Sequence, residues 1–118
     1  MVDFIRFISW NINGSQNPVK RKKCLTYLKS QQVDVAFIQE THLTEVIKFK
    51  RDWVGQIYHS SYSSKSCGVA ILVHKKYNFV LLRQQKDNDG RIICVEAKIN
   101  GVKVTLTVLS VLHCVYLH

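Results

Sequence analysis

Apolar positions along this chain come in two rhythms. Phe4 to Trp10 is a dense run of bulky and aromatic residues, which reads as a buried strand. It stops at Asn11, and the following NGSQNP is turn chemistry. Asn17 followed by Pro18 predicts a helix start, since Asn can cap the first free amides and proline suits the first helical position. The predicted helix runs to about Gln31, with Cys24, Leu25 and Leu28 on one face and Lys20, Arg21, Lys22 and Lys23 over the rest. Val33 to Gln39, VDVAFIQ, is a second short apolar run rich in β-branched residues. Strand, helix and strand in this order predict a βαβ unit with parallel strands.

Beyond Leu43 the rhythm changes to alternation. TEVIKFKRDW reads as a short helix or a loop, and QIYHSSYSSKSCGVAILVH as a serine-rich turn followed by a strand from Gly68 to His74. YNFVLLRQQ is a further strand, and KDNDGR is a strong turn because Asn and Asp-Gly tolerate positive φ. RIICVEAKI, the Asn100-Gly101 turn and VKVTLTVLSV predict a hairpin, with Ile93, Val95 and Ala97 alternating against Cys94, Glu96 and Lys98. The expected architecture is α/β: one mixed β-sheet with a flanking helix, in which an antiparallel meander joins a parallel pair.

The 118 residues allow one domain at most, and 47% apolar composition with one proline is globular rather than disordered. Seventeen basic against eight acidic residues leave a formal charge of +9, which favours a polyanionic partner such as nucleic acid. Cysteines 24, 67, 94 and 114 show no C-x2-C spacing and no zinc pattern, so reduced thiols in an intracellular protein are the simplest account. The N-terminus lacks a basic region followed by an apolar core. The longest apolar run, Val102 to Leu117, is too short and too polar for a membrane span.

Parallel pairing of the first two strands would set Asn11 and Glu40 side by side at the carboxyl edge of the sheet, where α/β folds place their ligands. A carboxylate beside a carboxamide suits a hard cation such as magnesium, which often takes one or two carboxylates and completes its shell with water and substrate phosphate. The alternative is that Asn11 caps a turn and Glu40 is a solvated loop residue. His42 is either a supporting group beside Glu40 or a solvated loop histidine. The run Lys20, Arg21, Lys22 and Lys23 is either a solvated helix face or a contact for DNA phosphates, and it also fits a weak nuclear-import signal. Trp10 and Trp53 read as core residues, and Gly68 as a site of close backbone packing.

The wording of four segments goes further. FISWNINGSQNPVKRKK, VDVAFIQETHL, GVAILV and VTLTVLSV, in this order and spacing, resemble the endonuclease/exonuclease/phosphatase family. The match is nearest to the apurinic-like endonuclease domain of LINE-type retrotransposons, and it covers nearly the whole chain. The resemblance implies a four-layer α/β sandwich and magnesium-dependent cleavage of a phosphodiester, with manganese as a substitute metal. It makes Glu40 the principal metal ligand and places Asn11 in the catalytic network and beside the metal. It implies DNA as partner, nicked to prime reverse transcription, and a nuclear location.

The resemblance also exposes gaps. A Tyr-Ala-Pro-Asn element should follow LTVLSV, but Leu112 stands where the Tyr belongs, in LHCVYLH. The later Gly-Asp-x-Asn and Ser-Asp-His elements have no counterpart, and DNDG at 87–90 lies in a turn. The water-activating Asp and the charge-stabilising His are therefore missing. Residues 1–111 are expected to be the N-terminal half of the sandwich, and 112–118 a divergent tail, as an interrupted reading frame would leave. Such a fragment resembles a magnesium-dependent endonuclease but lacks half its catalytic site and is expected to be inactive alone. The alternatives are a non-catalytic basic nucleic-acid-binding or interaction module and a nuclease completed by another chain. The sheet face meant for the missing half would lie exposed, inviting self-association.

Overall fold

The computed structural model describes residues 4–43, 47–61, 67–110 and 113–117. β1 (Phe7–Asn11) and β2 (Val35–Gln39) flank α1 (Pro18–Ser30) and pair in parallel, Phe7 opposite Val35 and Asn11 opposite Gln39. This is the expected βαβ unit. Asn17 caps the helix as its position before Pro18 predicted, its side chain accepting from Val19 N at 2.9 Å and Lys20 N at 3.3 Å. A single turn, α2 (Ile47–Lys50), leads to β3 (Gly55–Ser60) and β4 (Val69–His74). The first sheet has the order β1-β2-β4-β3, with β4 antiparallel to both of its neighbours. β3 lies where the sequence suggested a serine-rich turn. Its polar residues were misleading because an edge strand needs only one apolar side.

The α/β class, the mixed sheet and its flanking helix are as expected. The meander, expected to join that sheet, instead forms a second one. β5 (Phe79–Lys86), β6 (Ile92–Ile99), β7 (Val102–Leu109) and β8 (His113–Leu117) lie in chain order, all antiparallel. The reason is in the alternation of β6 and β7. Ile93, Val95, Ala97, Ile99, Val104, Leu106 and Val108 are buried on one face, while Glu96, Lys98, Thr105 and Thr107 take the other. Such a sheet needs cover on one side only. β8 falls within the stretch 112–118 set apart as a tail and forms the sheet's last strand.

β2 and β4 supply the matching surface because both are apolar on both faces. Val35, Phe37, Val69, Ile71 and Val73 pack against the second sheet. Ala36, Ile38, Ala70 and Leu72 pack on the other side against Cys24, Leu25 and Leu28 of α1, with Phe49 and Trp53. Trp53 is the core residue expected, its indole N–H donating to Val73 O at 3.2 Å. Among the described residues three layers result: helix, mixed sheet and antiparallel sheet. The face of the first sheet expected to lie open is therefore covered by the second.

A buried carboxylate sits at the edge of this core. Asp34, just before β2 and 1% exposed, accepts from Arg6 N at 2.8 Å and from Tyr77 OH at 2.9 Å, and Lys76 Nζ lies 2.8 Å from its other oxygen. Burial pushes this carboxyl up, but Lys76, the Arg6 amide and Tyr77 outweigh burial and hold it below the ordinary carboxylate range. A carboxyl whose folded pKa lies below its unfolded one adds stability above the unfolded value. It loses that contribution as pH falls through the folded value.

Two outcomes are expected. Phe37→Ala should cost about 3–5 kcal/mol in urea unfolding, since the ring is fully buried between the sheets. Asp34→Asn should lower stability most near neutral pH, and its deficit against the wild-type chain should shrink as pH falls below about 4. Unfolding curves recorded across that range check the second.

Candidate metal centre at the strand ends

The parallel register carries β1 and β2 to the same edge, and the backbone then continues the pairing into their loops. Ile12 N donates to Gln39 O at 3.1 Å, Gly14 N to Glu40 O at 2.7 Å and Ser15 N to Thr41 O at 2.8 Å. The second loop is held on its other side as well, Thr41 N donating to Gly68 O at 3.0 Å and His42 N to Cys67 O at 2.9 Å. Ser15 Oγ adds a bond to Thr41 O at 2.7 Å. Glu40 thus sits in a seam tied to both β1 and β4.

Left-handed backbone shapes this seam. Glu40 and His42 have φ of +54° and +55°, and Asn13 has +51°, values uncommon for residues with a side chain. Two glycines make room for the loop. A Cβ on Gly14 would come within 2.8 Å of His42 Nδ1, and one on Gly68 within 2.2 Å of Thr41 Oγ1. Gly68, at φ +96°, therefore has the close-packing role its place at the strand start suggested.

The structure brings Asn11 and Glu40 into contact. Asn11 Nδ2 donates to Glu40 Oε2, while Asn11 Oδ1 accepts from Asn13 N at 3.0 Å. The amide nitrogen, not the oxygen, faces the carboxylate. In this arrangement an amide donor orients the Glu40 carboxylate. His42 Nε2 lies 3.6 Å from Glu40 Oε1. The Glu40 side chain is 38% exposed and so remains open to a ligand. Among the described residues no three His, Cys, Asp or Glu side chains converge as a metal cluster. A single carboxylate fits a cation that fills its remaining positions with water and phosphate, which is magnesium's habit.

The basic run divides. Arg21 is 3% exposed, and its guanidinium donates to Ser15 O at 2.8 Å and Gln16 O at 3.4 Å. It is a buried brace for the β1 loop, so the expected phosphate contact at Arg21 is corrected. Lys20 Nζ reaches Asn13 O at 3.0 Å, also bracing that loop, while Lys22 and Lys23 stay exposed. Trp10 is half-buried, its ring edge-on to Tyr27 at 5.4 Å. Sequence reading missed the brace at Arg21 and the loop clamp at Gly14. The signal for Arg21 was its place one turn past the Asn17 cap, on the same side as Leu25 and Leu28.

Gly68→Ala should destabilise the chain by more than about 1 kcal/mol, from left-handed backbone and the Thr41 contact together. Arg21→Met should cost about 1.5–3 kcal/mol through the lost charged hydrogen bonds, while leaving the salt dependence of any DNA binding unchanged. Thermal unfolding and binding at several salt concentrations check the pair.

Comparison with known proteins bears on the same residues. The model of the endonuclease/exonuclease/phosphatase family matches residues 8–116, which include the whole seam. A Xenopus laevis sequence described as the transposon TX1 uncharacterized 149 kDa protein is 27% identical over 93 residues. That match covers 77% of this chain and 7% of the relative, so the chain spans only a small part of the relative's length. Among solved structures, a humanized D. rerio TDP2 superposes with a TM-score of 0.67 at 21% identity, over 87% of this chain and 48% of that one. TDP2 from Caenorhabditis elegans gives 0.64 at 23% identity, over 84% and 32%. D. rerio TDP2 complexed with single strand DNA product gives 0.64 at 23% identity, over 87% and 44%. The structural likenesses establish a shared fold, and the family match, with the strand-end seam inside it, establishes descent: this chain belongs to the endonuclease/exonuclease/phosphatase family.

Proposed function

We propose that this chain is the metal-holding part of a magnesium-dependent DNA endonuclease of the retrotransposon type and is inactive alone. The observation that carries the reading is the Asn11–Glu40 pair, formed at the joined strand ends within the family match. The transposon relative supports the retrotransposon setting, and the DNA bound to a TDP2 neighbour supports a nucleic-acid substrate. A nuclear site of action fits a DNA substrate.

In this reading Glu40 holds the cation, and Asn11 fixes the carboxylate's direction through its Nδ2 donor. The ion would supply Lewis-acid polarisation of a phosphoryl oxygen, with manganese a substitute. His42 stands beside the carboxylate's second oxygen, at 3.6 Å. Cleavage needs a base to activate water, and among the described residues the seam presents no second carboxylate to serve as one. Without that partner group, holding a metal gives binding rather than turnover, since catalytic groups that act as a unit lose most of their effect when separated.

A second reading, a basic nucleic-acid-binding module, is favoured by the +9 charge and the exposed Lys22 and Lys23. Binding that weakens steeply with salt and ignores magnesium would support it.

Magnesium titrated into the chain should shift the amide NMR signals of Asn11 and Glu40 saturably. Glu40→Gln should weaken that binding at least about tenfold. The chain alone should leave supercoiled plasmid uncut. Magnesium shifts that persist in Glu40→Gln would overturn the metal assignment, and nicking by the chain alone would overturn its inactivity.

A further inference from the structure

The end of β2 opposite Glu40 carries a second polar constellation. A cavity of about 490 Å³ opens there, lined by Phe4, Arg6, Gln32, Asp34, Lys76 and Asn100 among others. A neighbouring cavity of about 290 Å³ shares Gln32, Asp34 and Lys76 and adds Lys29 and His74. The two form one groove over the amino-terminal edge of the parallel pair. Asp34 lies in its floor but is committed to Lys76, Tyr77 and the Arg6 amide, so its charge is already answered. Arg6 and Lys29 are exposed and have no side-chain partner among the described residues. The groove therefore keeps a cationic excess.

Its remaining lining is equally specific. Phe4 presents a ring 83% exposed to solvent, an unusual state for a large aromatic side chain. Gln32 has no side-chain hydrogen bond among the described residues. Asn100 uses Oδ1 to accept from Asn78 N at 3.0 Å, which leaves its amide donor toward the groove's contents. An exposed aromatic face, free amides and unpaired cations around one groove are the combination that holds a base by stacking and its phosphates by charge. A membrane surface would call for an exposed apolar rim beside the cations, but of the groove's apolar lining Val33, Trp53 and Tyr77 are buried and Phe4 alone is exposed.

We propose that this groove binds single-stranded nucleic acid, independently of the metal centre at the other end of β2. A base stacks on Phe4, and the flanking phosphates meet Arg6 and Lys29. Lys76 is reserved for Asp34. The site does not rest on the endonuclease reading, because no residue in it belongs to the Asn11–Glu40 seam.

The test uses the whole chain, a fluorescent oligothymidylate of about eight nucleotides, sized to the few nucleotides such grooves hold, and EDTA to keep metal away from Glu40. Anisotropy should report saturable binding, and amide NMR should place the shifts at Arg6, Gln32, Lys29 and Asn100. Phe4→Ala should weaken binding about fivefold or more. The double variant Arg6→Gln, Lys29→Gln should reduce the slope of log affinity against log salt by about 0.7 for each charge removed. Both variants leave the Asp34–Lys76 pair intact, and a dispersed spectrum shows that they fold. Glu40→Gln should bind as the wild-type chain does. Shifts confined to Lys20, Lys22 and Lys23, or full affinity in Phe4→Ala, would overturn the proposal, as would an absence of saturable binding.

Discussion

The fold depends on one requirement: β2 and β4 have no face that tolerates water. Their eleven positions are all buried except His74, and apolar side chains point both ways from the pair. Burial of fully apolar strands stabilises only when both sides are covered. α1 covers one side with Cys24, Leu25 and Leu28, and the second sheet covers the other with the inner residues of β6 and β7. The position of every other element follows from meeting that demand. β1 and β3 flank the pair, and the strand-end loops gather where β1, β2 and β4 finish or begin.

Much of this was legible in the chain. Asn17-Pro18 marks the helix start, the run VDVAFIQ marks a strand buried on both faces, and Asn100-Gly101 marks the tight turn between β6 and β7. The division into two sheets was not legible, because alternation tells that a strand has one dry face but not which surface dries it. β3 was hidden for a related reason. GQIYHS has polar residues at half its positions, and only its pairing with β4 makes it a strand.

The candidate site was partly legible. Asn11 and Glu40 could be placed together because parallel register is a rigid rule once both strands are known. What the register could not convey was which atom of Asn11 faces the carboxylate, since that depends on Asn13 N capturing Oδ1. Arg21 shows the opposite error. A cation in the run KRKK looks like its neighbours, yet the helix turns it inward against the carbonyls of Ser15 and Gln16. Asp34 was passed over within an apolar run, although a lone carboxylate beside a dry strand requires partners, and Lys76 and Tyr77 supply them.

The seam that joins the strand ends has an entropic side. Bringing Asn11 to Glu40 closes a loop 29 residues long, whereas β6 meets β7 across the two-residue turn at Asn100-Gly101. Chain-closure entropy rises with the logarithm of loop length, so the difference amounts to about 2 kcal/mol of lost conformational freedom. That freedom is recovered only through the burial of α1, which fills the loop with packed helix. The carboxylate at Glu40 is thus held in place by a part of the chain with much disorder to surrender, and anything that loosens α1 from the sheet is felt at Glu40 before it is felt in the second sheet.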